Sequence, residues 1–237
     1  MDMTLESEVQ ATRRGALVVV EGLDRAGKST QCTRLHQFLV DQGHKAKYIR
    51  FPDRTTSIGK MINQYLRAEI QLDDHAVHLL FSANRWEAAA QIRQDIEAGI
   101  TVIVDRYSYS GAVYSAAKEN KELQLDWAWR PEVGLPRPDI WFFLNISTEV
   151  AAARGGYGTE RYETVNLQQR VGKLFLSLSG LKGNEDMRIV DAGREMDEIS
   201  SDIRDEVLQT MTKIDSIGPL RRLDALVFTE TGDKSSS

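Results

Sequence analysis

Five short segments of strand length recur along the chain, and stretches with helical spacing of apolar residues separate them. The five segments cover residues 16–20, 48–51, 101–104, 140–144 and 188–190. Apolar runs of this length are typical of strands that are buried on both faces of a parallel sheet. Because strands and helices alternate, the pattern predicts an α/β fold in three layers, with a five-stranded parallel sheet flanked by helices.

Apolar residues at helical spacing predict the helices between these strands. They are a helix that ends at Gly43, one over 57–67, a long one from Asp73 or Asp74 to about Ala98, and others near 108–117, 122–129, 162–178 and 196–212. The long helix is apolar on two faces, so it is either buried or packed between its own sheet and a partner subunit. One of its stripes consists of Leu79, Ala83, Trp86 and Ala90.

The two ends of the chain differ in character from the segment between them. Residues 1–14 are polar and are predicted to form a flexible arm, and residues 213–237 are predicted to form a polar, mobile tail. Residues 15–212 are enough for one large α/β domain with a core of its own.

Composition and charge narrow the classes of function. Hydrophobic residues make up 41% of the chain and the net charge is −5, so the basic excess of a general nucleic-acid binder is missing. The single cysteine, Cys32, excludes an intramolecular disulfide and fits a reducing compartment. No apolar run approaches the roughly 20 residues of a membrane helix, and the N-terminus lacks the apolar core of a secretory signal. We therefore expect no membrane partner and a cytoplasmic or nuclear address.

A phosphate-binding loop is predicted between the first strand and the first helix. Residues 22–29 read Gly-Leu-Asp-Arg-Ala-Gly-Lys-Ser and fit the pattern G-x-x-x-x-G-K-[ST], which is specific in this context. Backbone N–H groups of such a loop and the helix N-terminus bind phosphate oxygens. The predicted donor-phosphate site consists of Gly22, Ala26, Gly27, Lys28, Ser29 and Thr30. Lys28 is expected at the β- and γ-phosphates and the Ser29 hydroxyl on Mg²⁺, as in the P-loop NTPase fold.

Two charged residues inside this loop have alternative explanations. Arg25 can lie against a phosphoryl group in transfer and stabilise its charge, or it can be a solvated surface arginine. Asp24 can accept a hydrogen bond from a sugar hydroxyl, or it can bond its own backbone as a turn residue. The sequence alone leaves these alternatives open.

The end of the third strand carries a second candidate site. Asp105 follows the apolar run 101–104 directly, at the carboxyl end where parallel α/β sheets bind their ligands. An aspartate at this point can bind Mg²⁺ directly or through water, and the adjacent Arg106 can bind phosphate. The alternative is a surface pair that caps the next helix.

The long helix carries the candidate acceptor pocket. Residues His78, Phe81 and Arg85 lie on one face by their spacing, so Phe81 can stack on a base and Arg85 can donate to a base carbonyl. An internal salt bridge from Arg85 to a nearby glutamate, at helix spacing, is the competing explanation. The run Phe-Pro-Asp-Arg at 51–54 ends the second strand, so Arg54 is either part of the same crevice or a loop cation.

A glycine-rich segment at about 154–162, which Arg154 begins, is predicted to be a lid. Such a segment suits a lid that closes over phosphates and excludes water from the transfer site. A flexible surface loop is the alternative.

Together these segments resemble the thymidylate kinase family, and the eukaryotic form in particular. The matching stretches are the phosphate loop with its strand, Arg-Phe-Pro-Asp-Arg at 50–54, His-Leu-Leu-Phe-Ser-Ala-Asn-Arg-Trp-Glu at 78–87, Val-Asp-Arg-Tyr at 104–107 and Gly-Leu-Pro-Arg-Pro-Asp at 134–139. The resemblance runs from about residue 14 to residue 212. It implies a homodimer that converts dTMP to dTDP with ATP and Mg²⁺, on the route to dTTP for DNA.

The resemblance also implies roles for individual residues. Arg25, Lys28, Arg106 and Asp24 would be catalytic, with Arg25 acting from the phosphate loop and not from the lid. The acceptor would be bound by Asp24 at its 3′-hydroxyl, by Arg54 and Arg106 at its phosphate, by Phe81 stacked on thymine and by Arg85 at O4. Phe51, Leu66, Ser110, Gly111 and Tyr114 would complete its pocket, and Tyr162 would crowd the 2′ position. Arg154 and the Asp191–Arg194 turn, which includes Gly193, would lie near adenine. Ser29 and Asp105 would lie at the metal, and the long helix would lie at the dimer interface.

Three alternatives remain at this point. A kinase for uridylate or cytidylate would differ around Asp24 and Arg25, and the run 84–87 would be unexpected in it. A GTP-binding switch would read guanine with Asn-Lys-x-Asp, and the nearest string, Asn-Lys-Glu-Leu at 120–123, lacks the aspartate. A non-catalytic scaffold would not need Lys28, Ser29 and Asp105.

Overall fold

The protein is described by a computed structural model that covers residues 13–154, 160–181 and 184–226. The strands are β1 Leu17–Gly22, β2 Ala46–Arg50, β3 Thr101–Asp105, β4 Ile140–Asn145 and β5 Met187–Asp191. They form one sheet in the order β2-β3-β1-β4-β5, and every neighbouring pair is parallel. The predicted five-stranded parallel sheet is therefore confirmed.

A helix follows each strand along the chain. The helix bounds are α1 Lys28–Asp41, α2 Ser57–Leu66, α3 Asp74–Glu97, α4 Ser108–Ala116, α5 Leu125–Trp129, α6 Thr148–Ala153, α7 Val165–Leu178, α8 Met196–Thr212 and α9 Ile214–Ile217, with a 3-10 turn at Arg130–Glu132. Helices α1 and α8 pack against each other and on the sheet, and α3, α4 and α7 form a second group of packed helices. All residues of β1 are buried, as the continuous apolar run predicts.

Local sequence signals account for several helix ends. The Asp73 carboxylate accepts hydrogen bonds from the backbone N–H groups of His75 and Ala76, so it caps α3. Gly99 follows α3 with φ +81°, a left-handed conformation that favours glycine. Thr56 caps α2 through the N–H of Gly59. These caps explain why α2 and α3 begin within a residue or two of the predicted positions.

Other boundaries differ from the prediction. The helix expected over 162–178 begins only at Val165, because the Thr164 side chain caps it by accepting from the N–H of Leu167. The helix expected near 122–129 begins at Leu125 and continues into the 3-10 turn. Helices α6 and α9 are six and four residues long, too short for a periodic pattern to show.

The structure also differs from the expected arm and tail at the residues that it describes there. Arg14 is not loose, since it donates two hydrogen bonds of 2.8 Å to the Asp139 carboxylate. Within the expected tail, Ile214 and Leu223 are buried in the core, and Arg222 forms a bridge with Pro136. Residues 1–12 and 227–237 lie outside the described residues. Among the described helices, none combines the length and apolarity needed to span a membrane.

Candidate active site

A cavity of about 880 Å³ lies beside the phosphate loop, and residues after β1, β2, β3 and β5 line it. Most of the residues that the sequence predicts for the site line this cavity. They are Asp24, Arg25, Ala26, Gly27, Lys28, Ser29, Thr30, Phe51, Arg54, Leu66, Phe81, Arg85, Arg106, Ser110, Gly111, Tyr114, Arg154, Tyr162 and Gly193. The cavity thus brings the phosphate loop and the face of α3 with Phe81 and Arg85 to one place.

The phosphate loop joins β1 to α1. Gly27 directly precedes α1 with φ +92°, a conformation that glycine adopts without strain. Lys28 is buried, and its Nζ donates to the Leu23 carbonyl at 2.5 Å. Burial lowers the pKa of Lys28 to about 8. Gly22 does not line the cavity; its carbonyl accepts a hydrogen bond from Arg106 at 3.1 Å.

Asp24 is held on two sides beneath the cavity. Its carboxylate forms an ion pair with Arg106 and accepts a hydrogen bond from Nε2 of Gln168 at 2.7 Å. Burial acts to raise the pKa of Asp24, but the cations of Arg106 and Lys28 outweigh it and hold that pKa below its usual value. The explanation of Asp24 as a self-bonded turn residue is therefore not what the structure shows.

Arg25 lies at the mouth of the cavity. Its side chain is about one-third exposed, and its Nη2 is 3.4 Å from a carboxylate oxygen of Glu163. The Arg25 carbonyl accepts from Nη1 of Arg154 at 3.1 Å. Arg25 is thus a cavity residue and not a remote surface cation.

Ser29 and Asp105 meet at the metal position that the sequence predicts. The Ser29 hydroxyl donates to Oδ2 of Asp105 at 2.5 Å. The other oxygen, Oδ1, is buried and has no hydrogen-bond partner among the described residues. Hydroxyl and carboxylate oxygens are the ligands that Mg²⁺ prefers, so these two side chains fit the ion. Asp105 does not itself line the cavity, but it contacts Ser29, which does.

Residues of α3 and α4 form the end of the cavity where the sequence predicts the acceptor pocket. Phe81 and Arg85 line it, whereas the predicted neighbour His78 is fully buried behind Ser115, whose hydroxyl is 2.8 Å from its Nδ1. Arg85 forms a buried, bidentate ion pair with Glu132. Arg85 therefore forms a salt bridge, but with a distant glutamate and not with a nearby one at helix spacing. Arg85 also lines the cavity, so the ion pair and a role in the pocket are compatible.

Part of the predicted lid is described. Arg54, in the loop after β2, donates to Glu160 at 2.9 Å, so this loop is tied to the predicted lid. Arg161 does not line the cavity, because its guanidinium bonds the carbonyls of Tyr65 and Ile70. Arg154 lines the cavity and donates to the Ala192 carbonyl at 2.7 Å. Residues 155–159 lie outside the described residues.

Similarity to known proteins identifies the family. A model of thymidylate kinase matches residues 20–203. The chain belongs to the thymidylate kinase family. Thymidylate kinase from Arabidopsis thaliana is 46% identical over 219 residues, which cover 92% of this chain and 81% of that protein. The human thymidylate kinase is 44% identical over 207 residues, which cover 86% of this chain and 96% of that protein.

A solved structure extends the similarity to three dimensions. Thymidylate kinase from Candida albicans superposes with a TM-score of 0.78 at 38% identity, and the match covers 89% of this chain and 99% of that one. The P-loop NTPase fold that the sequence predicts is therefore the fold of this member of the thymidylate kinase family.

The site of this thymidylate kinase family member includes buried polar residues that the sequence did not reveal. Glu21 is fully buried and accepts from the N–H groups of Tyr107 and Ser110, at the start of α4. Burial raises the pKa of Glu21. An acidic residue at the end of an otherwise apolar strand is a sequence signal that could have indicated this buried carboxylate. Gln168 and Glu132 carry no such signal, because their partners lie far away in sequence.

The lining of the cavity has a charge opposite to that of the whole chain. Among the residues that the structure describes, the lining contains eight Arg and Lys against four Asp and Glu, although the chain has a net charge of −5. Such a local basic excess attracts anionic ligands such as nucleotide phosphates.

Proposed function

We propose that this chain transfers the γ-phosphoryl group of ATP to dTMP and so forms ADP and dTDP. One observation carries the proposal: a single cavity is lined by the phosphate loop at one end and by Phe81 and Arg85 at the other. A triphosphate and a pyrimidine nucleotide can therefore meet within it. Membership of the thymidylate kinase family supports dTMP as the acceptor.

The donor end is assigned to ATP. Backbone N–H groups of Gly27 and its neighbours bind the phosphates, and Lys28 contacts the β- and γ-phosphates. Arg154 and Gly193 lie at the end that we assign to adenine. Ser29 and Asp105 would hold Mg²⁺, which when bound neutralises charge on the phosphates.

The acceptor end is assigned to dTMP. Phe81 stacks on thymine and Arg85 donates to its O4. Arg54 and Arg106 bind the 5′-phosphate, and Asp24, which the cations around it keep ionised, accepts from the 3′-hydroxyl.

Phe51, Leu66, Ser110, Gly111, Tyr114 and Tyr162 complete this pocket. Phe51 and Leu66 are almost fully buried and supply apolar walls. Tyr162 lies against the ring of Tyr114, with the ring centroids 5.8 Å apart, so it narrows the space beside the sugar. A narrow space at this point favours a deoxyribose.

The phosphoryl group passes directly from ATP to dTMP by in-line transfer. The chain forms no covalent intermediate with the phosphoryl group and instead stabilises its charge during transfer. Arg25 and Arg106 contribute cations on the side of the phosphate loop that faces the cavity. Closing of the lid excludes water, which would otherwise compete with dTMP as the acceptor.

We also propose a homodimer through α3. Leu79 and Trp86, which belong to the predicted apolar stripe of α3, are 47% and 41% exposed, and Met61 of the neighbouring α2 is 43% exposed. Large apolar side chains clustered on one face are typical of an interface between subunits.

A coupled assay tests the catalytic proposal. ADP release from ATP should require dTMP and the purified chain together, and dTDP should form in equal amount. ADP release without an acceptor, or equal turnover of UMP and dTMP, would contradict it.

A further inference from the structure

The carboxylate of Glu132 lies behind the acceptor end of the cavity. It accepts hydrogen bonds from Nε of Arg85 at 2.7 Å and from Nη2 at 2.6 Å, and both side chains are almost completely buried. Two parallel hydrogen bonds fix the plane of a guanidinium group. The backbone of Gly111 packs closely against the same guanidinium group, since a Cβ on Gly111 would come within 2.3 Å of Nη2 of Arg85. The remaining N–H groups of Arg85 therefore have a defined direction.

The segment that carries Glu132 is held by residues near the end of the described chain. The N–H of Leu223 donates to the Leu135 carbonyl at 2.8 Å, and the N–H of Gly134 donates to the Leu223 carbonyl at 2.9 Å. The N–H of Arg137 donates to the Arg221 carbonyl at 2.9 Å. The Leu223 side chain is 3% exposed, so the backbone pairing is anchored by apolar packing.

Two tryptophans connect the same segment to its surroundings. Nε1 of Trp129 donates to the Asp224 carbonyl at 2.8 Å, and Nε1 of Trp86 on α3 donates to the Pro131 carbonyl at 2.8 Å. Glu132 thus lies between a C-terminal contact and a contact to α3. We call residues 221–224 together with Glu132 the brace.

We propose that the brace fixes the orientation of Arg85 and thereby sets the affinity for the pyrimidine of the acceptor. The inference rests on the proposed function, because it takes Arg85 as the donor to O4. Without Glu132 the buried guanidinium would lack its counter-charge and would turn toward water. Glu132 and Leu223 are positioning residues in this scheme, since they act through Arg85.

The test compares Glu132→Gln with wild type. We expect KM for dTMP to rise about tenfold or more, which corresponds to the loss of one well-formed hydrogen bond to the base. KM for ATP should stay within about twofold. The ratio of kcat/KM between dTMP and dUMP should not change, because both bases present the same O4. A general loosening of the pocket would alter that ratio.

A second variant acts from outside the cavity. Leu223→Ala should raise KM for dTMP in the same direction, by about threefold or more, with KM for ATP unchanged. The matched control is Leu220→Ala, which shortens a partly buried leucine of the same segment outside residues 221–224. Circular dichroism establishes that each variant is folded. If Glu132→Gln does not fold, Leu223→Ala decides the question.

Wild-type turnover of dTMP is measured first. Its absence would overturn the proposed function and the brace with it. Wild-type turnover together with an unchanged KM for dTMP in the folded variants overturns the brace alone. An equal rise of KM for ATP and for dTMP also overturns it, because the brace is specific to the acceptor end.

Discussion

Two arginines of the site have a backbone conformation that is unfavourable for residues other than glycine. Arg25 and Arg106 both have φ of 66°, in the left-handed region, which costs about 1–3 kcal/mol per residue. At Arg106 the surroundings hold this conformation: its N–H donates to the Val20 carbonyl at 3.0 Å, and its guanidinium donates to the hydroxyl of Ser110. Strain of this kind persists where function selects it, which is consistent with roles in phosphoryl transfer.

The role of Arg25 leads to the first prediction. Arg25→Ala should lower kcat about a hundredfold or more, equivalent to about 3 kcal/mol of barrier, because the charge of the phosphoryl group loses one cation. KM for dTMP should change far less. Steady-state kinetics with ATP and dTMP measure both constants.

Arg188→Ala is the control for Arg25→Ala. Arg188 is an exposed arginine of β5 that pairs with Glu206, and it does not line the cavity. Its replacement should leave kcat unchanged. A wild-type kcat in Arg25→Ala would remove Arg25 from the mechanism.

His78 gives a prediction on pH. Burial lowers the pKa of His78 from 6.5 to about 4, although Glu132 acts to raise it. A histidine that is neutral when folded takes up a proton on unfolding, so its contribution to stability is present above pH 6.5 and is lost as the pH falls toward 4. Between pH 7 and pH 5, the free energy of unfolding should therefore fall by about 2 kcal/mol more in wild type than in His78→Asn.

Urea unfolding at the two pH values measures this difference. Arg85 and Glu132 face the same histidine, and both are unchanged in the variant, so their effects cancel in the comparison. Equal pH dependence of wild type and His78→Asn would show that His78 is protonated in the folded protein at pH 5.

At the scale of elements, α7 is tied to the phosphate loop through one side chain. Gln168 is buried; its Oε1 accepts from the backbone N–H of Asp24 at 3.1 Å. Its Nε2 donates to the Asp24 carboxylate and to the Tyr162 carbonyl at 3.0 Å. The position of the phosphate loop and the position of Tyr162 at the end of the predicted lid therefore depend on the same residue.

Gln168→Met keeps the volume of this side chain but removes its hydrogen bonds. We expect the free energy of unfolding to fall by about 1–3 kcal/mol, because polar groups of Asp24 are left unsatisfied. We also expect kcat/KM for dTMP to fall, since Asp24 is no longer held. Urea unfolding and steady-state kinetics give the two quantities.

The control for this variant is Gln169→Met at the next position, which is exposed. It should change neither quantity measurably. Loss of stability in Gln168→Met with an unchanged kcat/KM would mean that Gln168 supports the fold without orienting Asp24.

The elements that the sequence predicts well are those with a strong local signal. The strand β1 has a continuous apolar run, the phosphate loop has a specific spacing, and α3 has a capping aspartate and a terminal glycine. These signals lie within a few residues of the structure that they specify. For that reason the sheet, the donor end of the cavity and the long helix could be predicted from the sequence.

Features that depend on distant partners could not be predicted in the same way. Glu132 meets Arg85 across 47 positions and Gln168 meets Asp24 across 144, so no local pattern indicates either pair. Leu223 lies in a polar segment without periodicity, and only its packing shows that this part of the expected tail belongs to the domain. Buried polar contacts between elements are the part of a site that tertiary structure decides.

At the scale of the whole molecule, α3 belongs to two environments. Val77, Ile92 and Ile96 are buried in the chain's own cores, whereas Leu79 and Trp86 remain exposed on another face. Association of two chains through that face would bury these side chains, at roughly 25 cal/mol per Å² of apolar surface. A symmetric pairing would place α3 against its own copy.

Leu79→Asp tests this arrangement, because association through that face would then bury a carboxylate without a partner in each subunit. Sedimentation equilibrium at micromolar concentration should give a dimer for wild type and a monomer for the variant. Val40→Asp is the control, since Val40 is equally exposed on α1 and should leave the dimer intact. A monomeric wild type, or dissociation caused equally by both substitutions, would show that α3 does not form the interface.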